Sequence, residues 1–207
     1  MKMKTIRRTA CIVGASLALS ACGINSVPTL EEEALSDWGD VESAYQRRAD
    51  LVPNLVATVR AAAGSESEIL SNVTEARARA TSINITSDDL SDPAEFQRFQ
   101  EAQNQLTQAL GQLRTVVENY PQLQSQARFA DLMTQLEGTE NRIDVARTRY
   151  NESVQAYNTE IRTFPSSIGA NIIHGAERME PFSAEPGAQN APTVDFGGMG
   201  GTAEAGN

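Results

Sequence analysis

The sequence predicts an all-α protein: an antiparallel four-helix bundle with long helices, preceded by a signal peptide or anchor and followed by a disordered tail. Three observations carry this. Aromatic residues make up only 5% of the chain while Ala, Gln and Leu are frequent, a balance that favours helix over sheet. Phe129, Met133, Leu136, Glu140, Ile143, Arg147, Tyr150, Val154, Tyr157, Ile161 and Phe164 recur at spacings of four and three, the seam of a coiled-coil-like bundle helix. Prolines and turn residues fall between the helical patterns more often than within them.

Residues 1–21 read as a lipoprotein signal peptide. Lys2, Lys4, Arg7 and Arg8 supply a basic start and residues 9–21 a short run of small and aliphatic side chains, the layout of a secretory signal. Leu19-Ser20-Ala21-Cys22 closes it in the form of a bacterial lipobox, where small residues precede a cysteine whose thiolate takes a diacylglyceryl group. A spanning helix wants roughly 20 apolar residues, and Gly23, Asn25, Ser26 and Pro28 interrupt the run too early. An N-terminal transmembrane helix is therefore the second reading. Two or more acyl chains hold a protein where one holds it only marginally. Cys11 leaves with the signal and Cys22 carries lipid, so neither a disulfide nor a thiolate metal site is available.

Residues 22–29 read as a lipidated tether and residues 30–182 as the bundle. Thr29 can cap a first helix with Glu31, Glu32 and Glu33 in its first turn, and Leu30, Ala34, Trp38, Val41 and Tyr45 form its apolar stripe. Pro53 should kink or split that helix. The pattern resumes at Leu55 and runs through Val59, Leu70, Val73 and Ala80, weakened at Gly64. Ser87-Asp88-Asp89 and Asp92-Pro93 mark a polar connection. A helix over residues 94–119 follows, with Phe96, Phe99, Leu106, Leu110, Leu113 and Val117 on one face. Pro121 starts the seam helix and Pro165 ends it. Residues 166–180 read as one short helix, and residues 183–207 as a disordered Gly/Ala/Pro-rich tail.

The charge balance narrows the function. Without Lys2, Lys4, Arg7 and Arg8 the 17 basic residues fall to 13, all arginine, against 27 acidic ones. Such a surface repels phosphate backbones, so no nucleic acid is expected as a partner. No cofactor is implied and no metal site: His174 is the single histidine and the bundle has no cysteine. No carboxylate pair, phosphate loop or nucleophile elbow stands out, so the protein is not expected to be an enzyme.

Glu140 and Arg147 are charged residues on an otherwise apolar seam. They lie two turns apart, about 10 Å by helix rise, so each is expected to meet a partner on another helix, with Arg47, Arg48 and Asp50 as candidates. Charged groups in such places fix helix register, or line a ligand pocket. The Tyr150-Asn151 and Tyr157-Asn158 pairs repeat at seven residues, which puts both rings on the seam as packing devices.

Trp38, then Tyr45-Gln46-Arg47-Arg48-Ala49-Asp50-Leu51-Val52-Pro53-Asn54-Leu55-Val56, then Leu136-Glu137-Gly138-Thr139-Glu140-Asn141-Arg142-Ile143, then Tyr150-Asn151, Tyr157-Asn158 and Phe164-Pro165 resemble the signature of the LemA family, over residues 30–182. The resemblance implies a four-helix antiparallel bundle held at a bacterial membrane by its N-terminus, with the bundle outside the cytoplasm and a role in envelope maintenance. It brings no assigned reaction with it. This chain departs from the pattern in showing a lipobox where a transmembrane helix is usual. The family's Gly-Tyr and His-Glu elements are replaced around Ala61-Ala62 and Ser65-Glu66. Its C-terminal Tyr-Phe-Glu is echoed only by Pro181-Phe182.

The expectation is thus a membrane-anchored, non-catalytic scaffold or adaptor of the cell envelope, on the periplasmic face, with the outer membrane favoured because no Asp follows Cys22. Lipidation falls on Cys22, and the candidate polar cluster is Arg47, Arg48, Asp50, Asn54, Glu137, Glu140, Asn141 and Arg142, with an envelope protein as partner. The alternatives are a subunit or cofactor of an envelope enzyme, or a lipid-binding module.

Overall fold

The structure, a computed structural model, describes residues 25–62 and 67–183. The expected signal peptide, Cys22 and almost all of the expected tail lie outside the described residues. Among the described residues the chain is all-helical, without a strand. Helix α1 (Ser26–Ala62) is followed by α2 (Ser67–Ser82), a 3-10 turn (Asp88–Ser91), α3 (Pro93–Val117), the short α4 (Pro121–Gln124), α5 (Ala127–Glu160), and α6 (Ser166–Gly169), which passes into a π-helical turn (Ala170–His174). Helix α1 packs along α5, and α2 packs between α1 and α3. Ser26 meets Glu160 and Arg48 meets Glu140, so α1 and α5 run antiparallel.

Several boundaries differ from those the sequence suggests. Helix α1 begins at Ser26, inside the expected tether, so Glu31 to Glu33 fall beyond its first turn. Thr29 is therefore not its cap: its hydroxyl donates to the Asn25 carbonyl at 2.8 Å. Pro53 does not split α1, which is continuous to Ala62. A proline leaves the carbonyl four residues earlier without its helical donor. That carbonyl is Ala49 O, and the Arg77 Nε of α2 donates to it at 2.7 Å. Pro53 itself sits on the exposed face.

Asp92 caps α3 as its sequence suggests, accepting from the Ala94 and Glu95 amides, with Pro93 in the first turn. Pro121 opens only α4, and the seam helix starts separately at Ala127. It ends at Glu160, one turn short of Pro165, and Phe164 is 76% exposed and lies off the packed seam. Residues 166–180 are not one helix. Gly175 takes a left-handed conformation (φ 58°), which glycine adopts at least cost, and the chain beyond it runs back along α5 without helical bonds.

The apolar interior is divided in two. One cluster gathers Trp38, Val41, Tyr45, Phe96, Phe99, Ile143, Tyr150, Val154, Tyr157 and Phe182. The other gathers Val52, Val56, Leu70, Val73, Leu106, Leu113, Phe129 and Leu136. Along every long helix that reaches both clusters, the switch falls at one level: after Tyr45 on α1, after Phe99 on α3, before Ile143 on α5. Polar side chains occupy that level.

Candidate functional site

Arg48 fills the gap between the two clusters. It sits one turn after Tyr45 and one before Val52, which places it on the inward stripe of α1, and it is 1% exposed. One terminal nitrogen donates to the Thr107 hydroxyl at 2.8 Å and to both Glu140 oxygens at 3.3 Å. The other donates to the Gln103 side-chain and main-chain oxygens, at 2.7 and 3.2 Å. Gln103 in turn donates to the Ala80 carbonyl at the end of α2, at 3.3 Å. One guanidinium thereby joins α1, α3 and α5 directly and α2 through Gln103. Its fifth donor, Nε, has no partner among the described residues, and its carbon lies 4.9 Å from the centre of the Tyr45 ring, within cation–π range. Glu140 is 37% exposed, so the pair lies at the wall of the layer and water reaches one side of it.

The remaining candidate residues separate. Arg47, Asp50, Asn141 and Arg142 line an open groove of about 880 Å³ between α1 and α5, together with Asp40, Glu42 and Arg149. Glu137 stands apart, with an exposed contact to Arg114 of α3 at 3.4 Å. Asn54 is exposed, and its carbonyl takes the Thr58 hydroxyl. Among the described residues Arg147 makes no ion pair with an acid on another helix: its guanidinium lies 4.8 Å over the Phe182 ring. Among the described residues no group of three His, Cys, Asp or Glu side chains could hold a metal ion.

The Tyr-Asn repeat has a second use that spacing alone does not reveal. Residues 175–183 form a strap along α5. Asn158 clamps Met179 through two bonds, donating to its carbonyl at 2.8 Å and accepting from its amide at 3.0 Å. Asn151 clamps Phe182 the same way, at 3.0 and 2.8 Å. Two residues with two-sided amides, seven apart on one helix, thus meet a non-helical backbone at two points, Met179 and Phe182, that stand three positions apart. The Tyr150 hydroxyl adds a bond to the Glu180 carbonyl, and the Glu180 amide reaches Leu90. Phe182 is thereby pressed into the aromatic cluster, 5.0 Å from Phe96 and 5.6 Å from Tyr150.

Residues 37–196 match the LemA family. The chain belongs to the LemA family. Its curated relatives include the magnetosome proteins MamQ 1 and MamQ 2 of Paramagnetospirillum magneticum and MamQ of Magnetospirillum gryphiswaldense. Each is 29% identical over 186 residues, covering 82% of this chain and 68% of the relative. In this LemA chain the signature motifs divide between three tasks. Arg48 and Glu140 join the layer, Arg47, Asp50, Asn141 and Arg142 face the groove, and the Tyr-Asn pairs hold the strap. Gln103 and Thr107 were not legible as members, although Gln103 stands four residues after Phe99 and three before Leu106. A polar residue at a stripe position was the available signal.

Removing one clamp should loosen the strap without unfolding the LemA domain. Asn158→Ala leaves the Met179 amide and carbonyl to water, a loss of about 1–2 kcal/mol. Trypsin should then cut faster after Arg178 than in the wild type, with Asn151→Ala exposing the strap further along. An unchanged cutting rate would contradict the clamp.

Burial also sets how the tyrosines titrate. It pushes the Tyr157 hydroxyl up to about 12, assisted by the charges of Glu31 and Glu177, and drives Tyr150 further still in the same direction. A raised folded-state pKa favours the protonated form in the folded protein. The resulting stabilisation is complete below the unfolded value, about 10, and is lost as pH rises towards 12. Tyrosinate absorbance during an alkaline titration should show these two groups ionising together with unfolding.

Proposed function

We propose that the protein is a membrane-anchored, non-catalytic antiparallel four-helix bundle of the bacterial cell envelope that works as a scaffold or adaptor. The observation that carries this is the groove between α1 and α5. Two signature motifs from distant parts of the sequence contribute Arg47 and Asp50 from one side and Asn141 and Arg142 from the other. Arg48 and Glu140, their sequence neighbours, hold those two helices in register from within. The polar motifs therefore combine a fixed frame with an exposed, mixed-charge face, which suits docking of a complementary protein surface. Anchoring rests on the lipobox-like Leu19-Ser20-Ala21-Cys22. Among the described residues no helix is long and apolar enough to cross a membrane. The named relatives are magnetosome proteins, and association with a membrane-bound assembly is in keeping with that name. We place the bundle on the periplasmic side.

Two measurements on the full chain test this. Intact mass and membrane fractionation should show a lipid-sized mass increase that disappears in Cys22→Ala, with the protein released or left unprocessed. Reversing charge in the groove with Arg47→Glu and Arg142→Glu should leave the melting temperature within a few degrees of the wild type, since exposed charges contribute roughly 0–1 kcal/mol each. The same change should abolish site-specific cross-links to an envelope partner formed through position 149. Cross-links that survive the reversal would remove the groove from the argument.

A further inference from the structure

The end of the molecule beside α6 is built inside out. From Phe164 to His174 the side chains facing the interior are small: Ser166, Gly169 and Ala170 are buried. The large apolar ones face outward, with Phe164 76%, Ile168 53%, Ile172 77% and Ile173 61% exposed. Ile168 and Ile172 stand four residues apart on continuous helical turns, on one face. Only one other large apolar side chain among the described residues is comparably exposed, Val145, midway along α5 in the charged groove. The exposed apolar surface is thus gathered at one tip.

That tip is also where the N-terminal segment joins. Ser26 donates to Glu160, and Ser166 donates to the same carboxylate oxygen at 2.6 Å. The two bonds hold the Glu160 carboxyl below the usual carboxylate range, that from Ser166 contributing most. They tie the first turn of α1 to the base of α6. Between Ala21, the last residue of the apolar N-terminal run, and Asn25 lie only Cys22, Gly23 and Ile24. The four steps from Ala21 to Asn25 span at most about 14 Å. An anchor at or before Cys22 therefore holds the tip against the bilayer surface. Arg162 and Arg178 line an open groove along the last turns of α5 and the strap, and Arg162 stands two positions before Phe164. Contiguous exposed apolar side chains rimmed by polar ones mark membrane or protein contacts, and an amphipathic segment settles with its apolar face at the headgroup–acyl boundary.

We propose that Phe164, Ile168, Ile172 and Ile173 form a membrane-dipping tip that inserts into the lipid interface and, with the N-terminal anchor, stands the bundle upright on the bilayer. This rests on the anchored reading above. The occupant is phospholipid: Phe164 and the three isoleucines meet acyl chains while Arg162 and Arg178 meet phosphates.

The test uses the full chain reconstituted into phosphatidylethanolamine and phosphatidylglycerol vesicles containing a phosphatidylcholine brominated near the top of its acyl chains. Phe164→Trp, Ile172→Trp and the control Val145→Trp each place an indole at an already exposed site. Trp38, 5% exposed within the aromatic cluster, gives the wild-type baseline. The indoles at 164 and 172 are expected to lose roughly half of their emission to bromines at the depth of an interfacial helix, with the indole at 145 unchanged. A chain that floats with the vesicles but shows no quenching at 164 or 172 overturns the tip and leaves the anchor standing; a second copy or a protein partner covering the patch would give that result. Equal quenching at 145 means that the bundle lies on its side, which also overturns the upright tip. A chain that fails to float overturns the anchor and the tip together.

Discussion

Arg48→Met should lower stability by about 3 kcal/mol, at the lower end of what loss of one member of a buried charged network costs. In a domain of this size that is a fall in melting temperature of roughly 6–12 °C. The substitution keeps most of the hydrocarbon volume and removes the donors that satisfy Gln103, Thr107 and Glu140. Gln103 is 5% exposed and cannot exchange its lost bond for water. Glu140 is 37% exposed and can rehydrate, which keeps the loss from being larger. Glu140→Gln should cost less, about 2 kcal/mol: the amide oxygen still accepts from Arg48 and water reaches position 140, but the guanidinium, 1% exposed, loses its one charged partner. Thermal melts of the two variants check the asymmetry. Replacing the layer as a unit, with Arg48→Met, Gln103→Leu and Thr107→Val together, should recover much of the lost stability, because an apolar layer has no buried donors to satisfy. If the single and the combined variants melt alike, the layer is not the cooperating unit its bonds imply. The value of the layer then lies in register. Slipping α1 along α5 would move a buried guanidinium into apolar surroundings, a penalty that no pair of leucines would impose.

Trp38→Ala should cost about 4 kcal/mol, the central value for deleting a large buried aromatic side chain. Trp38 is the hub of its cluster. Its ring centroid lies 5.3 Å from those of Phe99 and Tyr150, 5.9 Å from that of Phe96 and 6.0 Å from that of Phe182. One side chain of α1 therefore holds α3, α5 and the strap at once, and the cavity left by alanine would be lined by residues pinned from several directions. The indole N–H makes no hydrogen bond among the described residues. Trp38→Phe drops that unsatisfied donor and keeps most of the ring contact, so it should cost only about 1 kcal/mol. Chemical denaturation of both variants gives the comparison. A loss on phenylalanine as large as on alanine would mean that the N–H is satisfied after all, by water or by a partner.

Both residues show what can be read from a sequence like this and what cannot. Stripe membership was legible for Trp38, Tyr150 and Tyr157 because helical period and apolar character agree, and burial follows from the two together. Asp92-Pro93 was legible because capping is a local reaction of a side chain with amides two and three residues on. The start of α1 was not: the helix begins at Ser26, inside the stretch that reads as a tether, where Ser26 meets Glu160 on a helix far along the chain. Whether Pro53 splits the helix was not legible for a similar reason. Its effect depends on whether the freed carbonyl finds another donor, and that donor, Arg77, comes from α2. The candidate polar residues were recognised as a set, but sequence adjacency hides that Arg47 and Arg48 face different surroundings. Helical geometry rotates neighbours by about 100°, which sends one to the groove and its neighbour to the interior.

By itself, then, the sequence determined the all-helical class, the stripe residues, the cap of α3 and membership of the LemA family, each of which depends on local periodicity, on side chains a few positions apart or on motif order. The tertiary structure alone decided that Arg48 finds its partners on two other helices and reaches a third through Gln103, that α1 runs unbroken through Pro53, that Asn151 and Asn158 grip a returning strap, and that the isoleucines after Pro165 face outward. Those outcomes depend on which distant groups supply donors, acceptors and apolar surface. A single chain of letters places no distance between them.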